Sequence, residues 1–183
     1  FEFEEGFVTG MVPGFYLYNL TAIGDTEAEQ AFNALYRYAS TSGQYAEGIV
    51  YDNFSAFQLF YDESGTLGDI VARHRPWEGG INIDAFLFYL IGAEPTPGGM
   101  RLRPHLPNNH SEMAIDHISA GSGSGSLTLW REGTKLRASF TSEADEAFEL
   151  QMELPGSGGA LPGGELVTVH DTVVVEPGET VEY

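Results

Sequence analysis

Cysteine is absent from the 183 residues, which removes disulfides and thiolate metal ligation and leaves the chain silent on redox compartment. Basic residues are scarce: eight Lys and Arg, with Lys135 the single lysine, face 27 Asp and Glu for a formal net charge of −19. With no Lys/Arg cluster to displace counterions from phosphates, nucleic acid is excluded as a partner. The carboxylates read instead as a well-solvated acidic surface. A long apolar run is missing too. The richest, Ile81 to Ile91, is far short of the roughly 20 apolar residues a bilayer requires, and Asn82 and Asp84 interrupt it, so no membrane partner is expected. The opening, Phe1 to Glu5, has neither the basic start nor the apolar core of a secretory leader, and so abrupt a beginning reads as the interior of a longer protein. His74, His105, His110, His117 and His170 are scattered, without the i, i+4 spacing of a helical zinc site, so neither a metal nor a cofactor is expected. No Ser/His/Asp arrangement is visible from spacing either.

What the chain does contain is enough apolar material for a core, 42% of its residues, in one domain or two small ones. The first half reads helical. Thr9 to Ile23 predicts a helix closed by Gly24, and Asp25 or Thr26 caps a second, to about Ser40, with Ala28, Phe32, Leu35 and Ala39 as its apolar stripe. Ile49 to Tyr61 alternates aromatic and polar residues in a way that suits a β-hairpin or a helix. Arg75 to Gly92, RPWEGGINIDAFLFYLIG, opens on a Pro-Trp-Glu-Gly-Gly entry and continues as a helix apolar on every face, which predicts burial between layers and a stop at Gly92.

After Gly92 the pattern turns to short alternating runs between Pro and Gly turns. Met100 to Leu106, Glu112 to Ser119, Ser126 to Arg131, Lys135 to Thr141, Ala147 to Leu154, Leu166 to His170 and Val173 to Glu176 read as strands of an antiparallel sandwich. Glu132-Gly133 is the sharpest hairpin signal. Ser119 to Ser126, SAGSGSGS, has the composition of a flexible linker, a natural loop or an engineered join.

The order of a helical hairpin, an SGQYAEG loop, an RPWEGG helix and a GAEPTPGGMRLRPHLP connector before a β domain resembles the C-terminal end of glycoside hydrolases built on a toroid of paired helices, of the glucoamylase, debranching-enzyme and rhamnosidase kind. Trp77 to Pro107 carries most of that resemblance. It implies the terminal helical hairpins of an (α/α) barrel over residues 1–97, followed by a small antiparallel β-sandwich over 98–183. It also implies an oligo- or polysaccharide substrate, hydrolysed with inversion by two carboxyl groups about 6.5–9.5 Å apart. The general acid would lie outside this chain, so the missing N-terminal part of the same protein, or another chain, is an expected partner.

In glucoamylase-like members a Gly-x-x-Ala-Glu loop supplies the carboxylate that activates water, with a Trp opening the next helix some thirty residues on. Gly43-Gln44-Tyr45-Ala46-Glu47 and Trp77 stand at those places, so the resemblance makes Glu47 the candidate base, although Gly48 follows it where the family pattern has Gln. Glu78 is the rival: at a helix start the unpaired N–H groups favour its anionic form, which suits a base and argues against a general acid. Trp77, Tyr45 and Tyr51 offer rings to stack on sugar, and Arg75 offers donors to its hydroxyls, although a core Trp and an ion-paired Arg are the plainer readings. An alternative from another class is a non-catalytic extracellular carbohydrate-binding or surface-assembly module.

Overall fold

A computed structural model of the chain describes residues 12–42, 76–133, 135–160 and 166–183. The elements in order are helices α1 (Val12–Ile23), α2 (Ala28–Ser42) and α3 (Pro76–Leu90), then strands β1 (Glu94–Thr96), β2 (Gly99–Leu102), β3 (Glu112–Ala120), β4 (Gly123–Glu132), β5 (Lys135–Ser142), β6 (Phe148–Ala160), β7 (Leu166–Val175) and β8 (Thr180–Glu182). The chain divides into two compact units, Phe1–Leu87 and Phe88–Tyr183.

In the first unit the turn between α1 and α2 follows from Gly24-Asp25. The Gly24 N–H donates to Thr21 O at 3.1 Å and the Asp25 N–H to Leu20 O at 2.9 Å, the paired bonds of a Schellman stop. The Asp25 carboxylate then accepts from the Glu27 N–H at 2.8 Å and opens α2. Leu17, Leu20, Phe32 and Leu35 are buried. Phe32 meets Phe86 of α3 edge to face, with ring centroids 4.9 Å apart. Gly14 brings α1 so close to α3 that a methyl group there would meet the Asn82 side chain and lie 3.2 Å from its Cα.

The expectation of a helix buried all round does not hold for α3. Asn82, Ala85 and Tyr89 are buried on one stripe, whereas Ile83 and Leu87 are 55% and 48% exposed. The stripe keeps helical spacing but begins on a polar and a small residue, so hydropathy alone does not separate it from Ile83 and Leu87.

The second unit is two four-stranded sheets, ordered β1-β2-β6-β7 and β3-β4-β5-β8. Their inner faces share one core: Met100, Leu102, Phe148, Leu150, Met152 and Val175 from the first sheet, and Ile118, Leu127, Leu129, Ala138 and Phe140 from the second. Alternation along β4 and β5 places Leu127 opposite Phe140 and Leu129 opposite Ala138. Each fully buried Leu contributes about 1.5–3 kcal/mol relative to exposure.

Helix α3 ends at Leu90 and Gly92 takes a left-handed φ of 57°. The Arg103 N–H returns to Ile91 O at 3.1 Å and the His105 N–H to Leu90 O at 3.2 Å, tying the 103–107 connector to that helix end. Pro76, Trp77, Glu78 and both entry glycines are themselves helical, with Pro76 at the first position, where its missing N–H costs nothing.

The fold class implied by the resemblance is corrected. No helical toroid is present among the described residues: three helices bury single faces, and two β-rich sheets dominate. A toroid requires each helix to be covered by neighbours on both sides, and the exposed Phe15, Ile23, Ile83 and Leu87 show no such covering. The order of helix, Gly stop and strand that carried the resemblance is produced equally well by a smaller α-then-β chain. Nor are the sheets wholly antiparallel, since β2 pairs β6 in parallel, Gly99 opposite Glu149. That pairing arises because β3, β4 and β5 all lie in the other sheet before the chain returns.

The linker reading is corrected as well. Gly123 to Ser126 is the start of β4, with Gly123 and Gly125 buried on the core side. A Cβ on Gly123 would lie 2.7 Å from Met100 Cβ, and one on Gly125 would lie 2.8 Å from Phe140 Cε1. These glycines are there because the two sheets and their rings leave no room for a side chain. Leu166 to Val175, expected as two strands, runs as one along β6.

Candidate functional site

Of the residues singled out for sugar chemistry, Tyr45, Glu47, Tyr51 and Arg75 lie outside the described residues, as does Ile49 to Tyr61. Trp77 and Glu78 fall in the first turn of α3, where the free N–H groups and the dipole's positive end favour a carboxylate. The (α/α) barrel that would have set two carboxyls on opposite sides of a sugar is gone, and with it the structural ground for classing the chain as a glycoside hydrolase.

The helical unit offers something the sequence reading passed over. Phe15, Tyr16, Tyr18 and Tyr36 are exposed aromatic side chains on α1 and α2, Tyr36 at 59%. Phe15 and Tyr18 are three apart and share a face. Tyr16 donates its hydroxyl to Glu27 Oε2 at 3.1 Å, which fixes its ring, and that bond, with the nearby carboxylate charge, raises the phenol above its ordinary value. Which of these aromatics reach solvent depends on the α1–α2 contact, which the sequence alone does not show.

In the β unit, polar side chains are mostly committed to one another. Glu94 of β1 accepts from Arg101 and forms an ion pair with Arg103 at 2.9 Å. Glu153 of β6 stands 3.9 and 4.0 Å from the same two guanidinium groups. The Arg103 guanidinium also lies 5.5 Å from the centroid of the Phe88 ring. Two cations balanced by two carboxylates on neighbouring strands form a self-neutralising brace rather than an anion site.

Arg131 is spent on the 106–110 loop, donating to Leu106 O at 2.6 Å and to Asn108 Oδ1 at 3.3 Å. His105 stacks on Tyr89, centroids 4.9 Å apart, with Nδ1 3.0 Å from the Tyr89 carbonyl, which commits it to the connector. No group of three or more His, Asp or Glu suited to a metal occurs among the described residues, and no described helix is long and apolar enough to cross a membrane.

One cluster brings together residues distant in sequence: Ser126 of β4 and His117 of β3 both bind Glu143, which follows β5. Ser126 donates to Oε1 and the imidazole meets Oε2, so Ser and His each bind the carboxylate, one to either oxygen. That is not the order in which an imidazole activates a serine. No protein-family model matches the chain, and no curated protein or solved structure matches it either.

Proposed function

We propose that this chain is a non-catalytic carbohydrate-recognition module that works beside another polypeptide, taking neutral oligosaccharide on its helical unit. The observation that supports this is the set of exposed rings on α1 and α2, Phe15, Tyr16, Tyr18 and Tyr36. An aromatic face gives apolar area to pyranose C–H groups, and a tyrosine adds a hydroxyl at the wet edge. Trp77, whose backbone lies in the first turn of α3, is the candidate that the sequence adds for the same purpose. The net charge of −19 narrows the ligand class, because an acidic surface repels uronic or sulfated glycans. The exposed Ile83 and Leu87 support the accompanying polypeptide, since apolar side chains repeated at helical spacing suit a covering partner.

The test is isothermal titration of the full chain with neutral and acidic oligosaccharides. Neutral ligands are expected to bind at micromolar to millimolar Kd, with acidic ones weaker. Tyr36→Ala combined with Trp77→Ala should weaken binding about tenfold or more with the far-UV circular dichroism retained. No binding to any glycan overturns the proposal, and sugar turnover abolished by Glu47→Gln would return the catalytic reading.

A further inference from the structure

His117 is the one non-glycine among the described residues with positive φ, at 59°. It sits where the β3–β4 pairing shifts between Ile115 and Ile118, a bulge position at which glycine is the default. A left-handed backbone costs an L-residue free energy, and such strain persists only where the surroundings enforce it.

The His117 side chain meets Glu143. Its Oε2 lies 2.8 Å from His117 Nδ1, its Oε1 accepts from Ser126, and its own N–H donates to Ser124 O at 2.9 Å. One residue thus joins the bulge to two points on β4. Strand β3 is the outer strand of its sheet, and the His117 side chain is 85% exposed, so the joint is open to solvent protons.

We propose that Glu143 acts as a pH-sensitive clasp that holds the His117 bulge of edge strand β3 against β4 in mildly acidic solution and loosens on either side. The charged groups acting on His117 are Glu143 and Asp116; on Glu143 the charged group is His117, beside the neutral hydrogen-bond donor Ser126. On the β8 side, Glu179 gives its carbonyl to the Ser142 N–H and its carboxylate to the Glu176 N–H, so it does not compete.

The hydrogen bond to Glu143, that carboxylate's charge and Asp116 raise the imidazole above its ordinary 6.5. A raised histidine contributes fully below 6.5 and loses its contribution as pH rises through the folded value. Ser126 first, then His117, lower Glu143 below its ordinary 4.5. A lowered carboxylate contributes fully above 4.5 and loses its contribution as pH falls through the folded value. The clasp is therefore tightest between about 4.5 and 6.5. A bulge twists an edge strand away from foreign strands, so the state of the clasp also sets how available that edge is.

Hydrogen exchange of the full chain, corrected for intrinsic rates and read over residues 112–120, tests this. Protection of amides 115–118 should fall at least threefold from pH 5.5 to pH 8, and again below pH 4. His117→Gly keeps the left-handed backbone without an imidazole and should flatten the pH 5.5 to 8 limb. Ser126→Ala should move the acid limb to higher pH, and Glu143→Gln should abolish both limbs. Flat wild-type protection, or a His117→Gly variant as pH-dependent as the wild type, overturns the proposal.

Discussion

Replacing Gly125 by Ala reverses sign according to what the SGSGS stretch is. In a flexible linker the change restricts the unfolded chain and stabilises by about 0.4–1 kcal/mol. In β4 the new methyl group meets two neighbours that cannot withdraw: the Phe140 ring, 0% exposed, and the Thr141 carbonyl, whose strand is locked in register against Ser126. Overpacking of this kind costs about 1–3 kcal/mol. With the unfolded-state gain set against the upper part of that range, the net loss is about 1–2 kcal/mol, roughly a tenfold fall in the folding equilibrium constant. Urea unfolding followed by tryptophan fluorescence would read this as a lower midpoint with an unchanged slope. Gly80→Ala is the internal control: it is helical, exposed and has open space around its Cβ direction, so it should stabilise by about 0.5–1 kcal/mol. A Gly125→Ala protein as stable as the wild type, or more so, would refute the placement of this stretch in the core. Adding Phe140→Leu to Gly125→Ala should cost less than the two single changes together, because the smaller side chain vacates part of the contested space.

Gly92 and Gly133 form a second matched pair, with φ of 57° and 63°. Alanine at Gly133 meets nothing within 4 Å and should lose only the left-handed penalty, about 1 kcal/mol, whereas alanine at Gly92 would also press on the Arg103 carbonyl at 2.7 Å. Chemical unfolding should therefore rank Gly92→Ala below Gly133→Ala by about 1–3 kcal/mol, and equal losses would count against the close approach. Tyr183 pairs with Ala138 through both backbone bonds, at 2.8 and 3.1 Å, while its hydroxyl is buried without a hydrogen-bond partner among the described residues. Burial, reinforced by the Asp171 charge, pushes this phenol up to about 12 from 10.0. A raised tyrosine stays neutral in the fold after the unfolded chain has ionised, so stability should fall between pH 10 and 12. Tyr183→Phe should match or exceed the wild type at neutral pH and blunt that alkaline loss in a thermal melt; a marked loss at neutral pH would show that the hydroxyl has a partner.

Much of the fold was legible where a residue's role is local. Gly24-Asp25 ends one helix and starts the next by its own backbone chemistry, Gly92 takes the positive φ that a helix stop favours, and the Glu132-Gly133 turn joins β4 to β5 with Glu132 opposite Lys135. What was hidden depends on neighbours remote in sequence. The SGSGS glycines look like slack because nothing nearby in sequence tells of Phe140 and Phe148 across the core. A helix apolar on every face hides which stripe is buried, and here Asn82 and Ala85, not the larger Ile83 and Leu87, face inward. Spacing could not reveal the Ser126, Glu143 and His117 cluster, whose members meet only because a bulge, a strand and a post-strand turn converge. The toroid was inferred from an order of motifs that α3 and its connector satisfy without the ring of helices.

The parallel pairing of β2 with β6 carries a consequence for how the protein is made. Gly99 meets Glu149 only after β3, β4 and β5 have been synthesised, so Met100 and Leu102 leave the ribosome well before the strand that shields them. The β3–β4–β5 meander closes through short turns and needs none of them, whereas the first sheet waits on a non-local contact whose loop must be closed before it contributes. During that interval the edge of β2 is a sticky surface. Slowing translation between β2 and β6 should therefore lower soluble yield more than the same delay placed within α1 and α2.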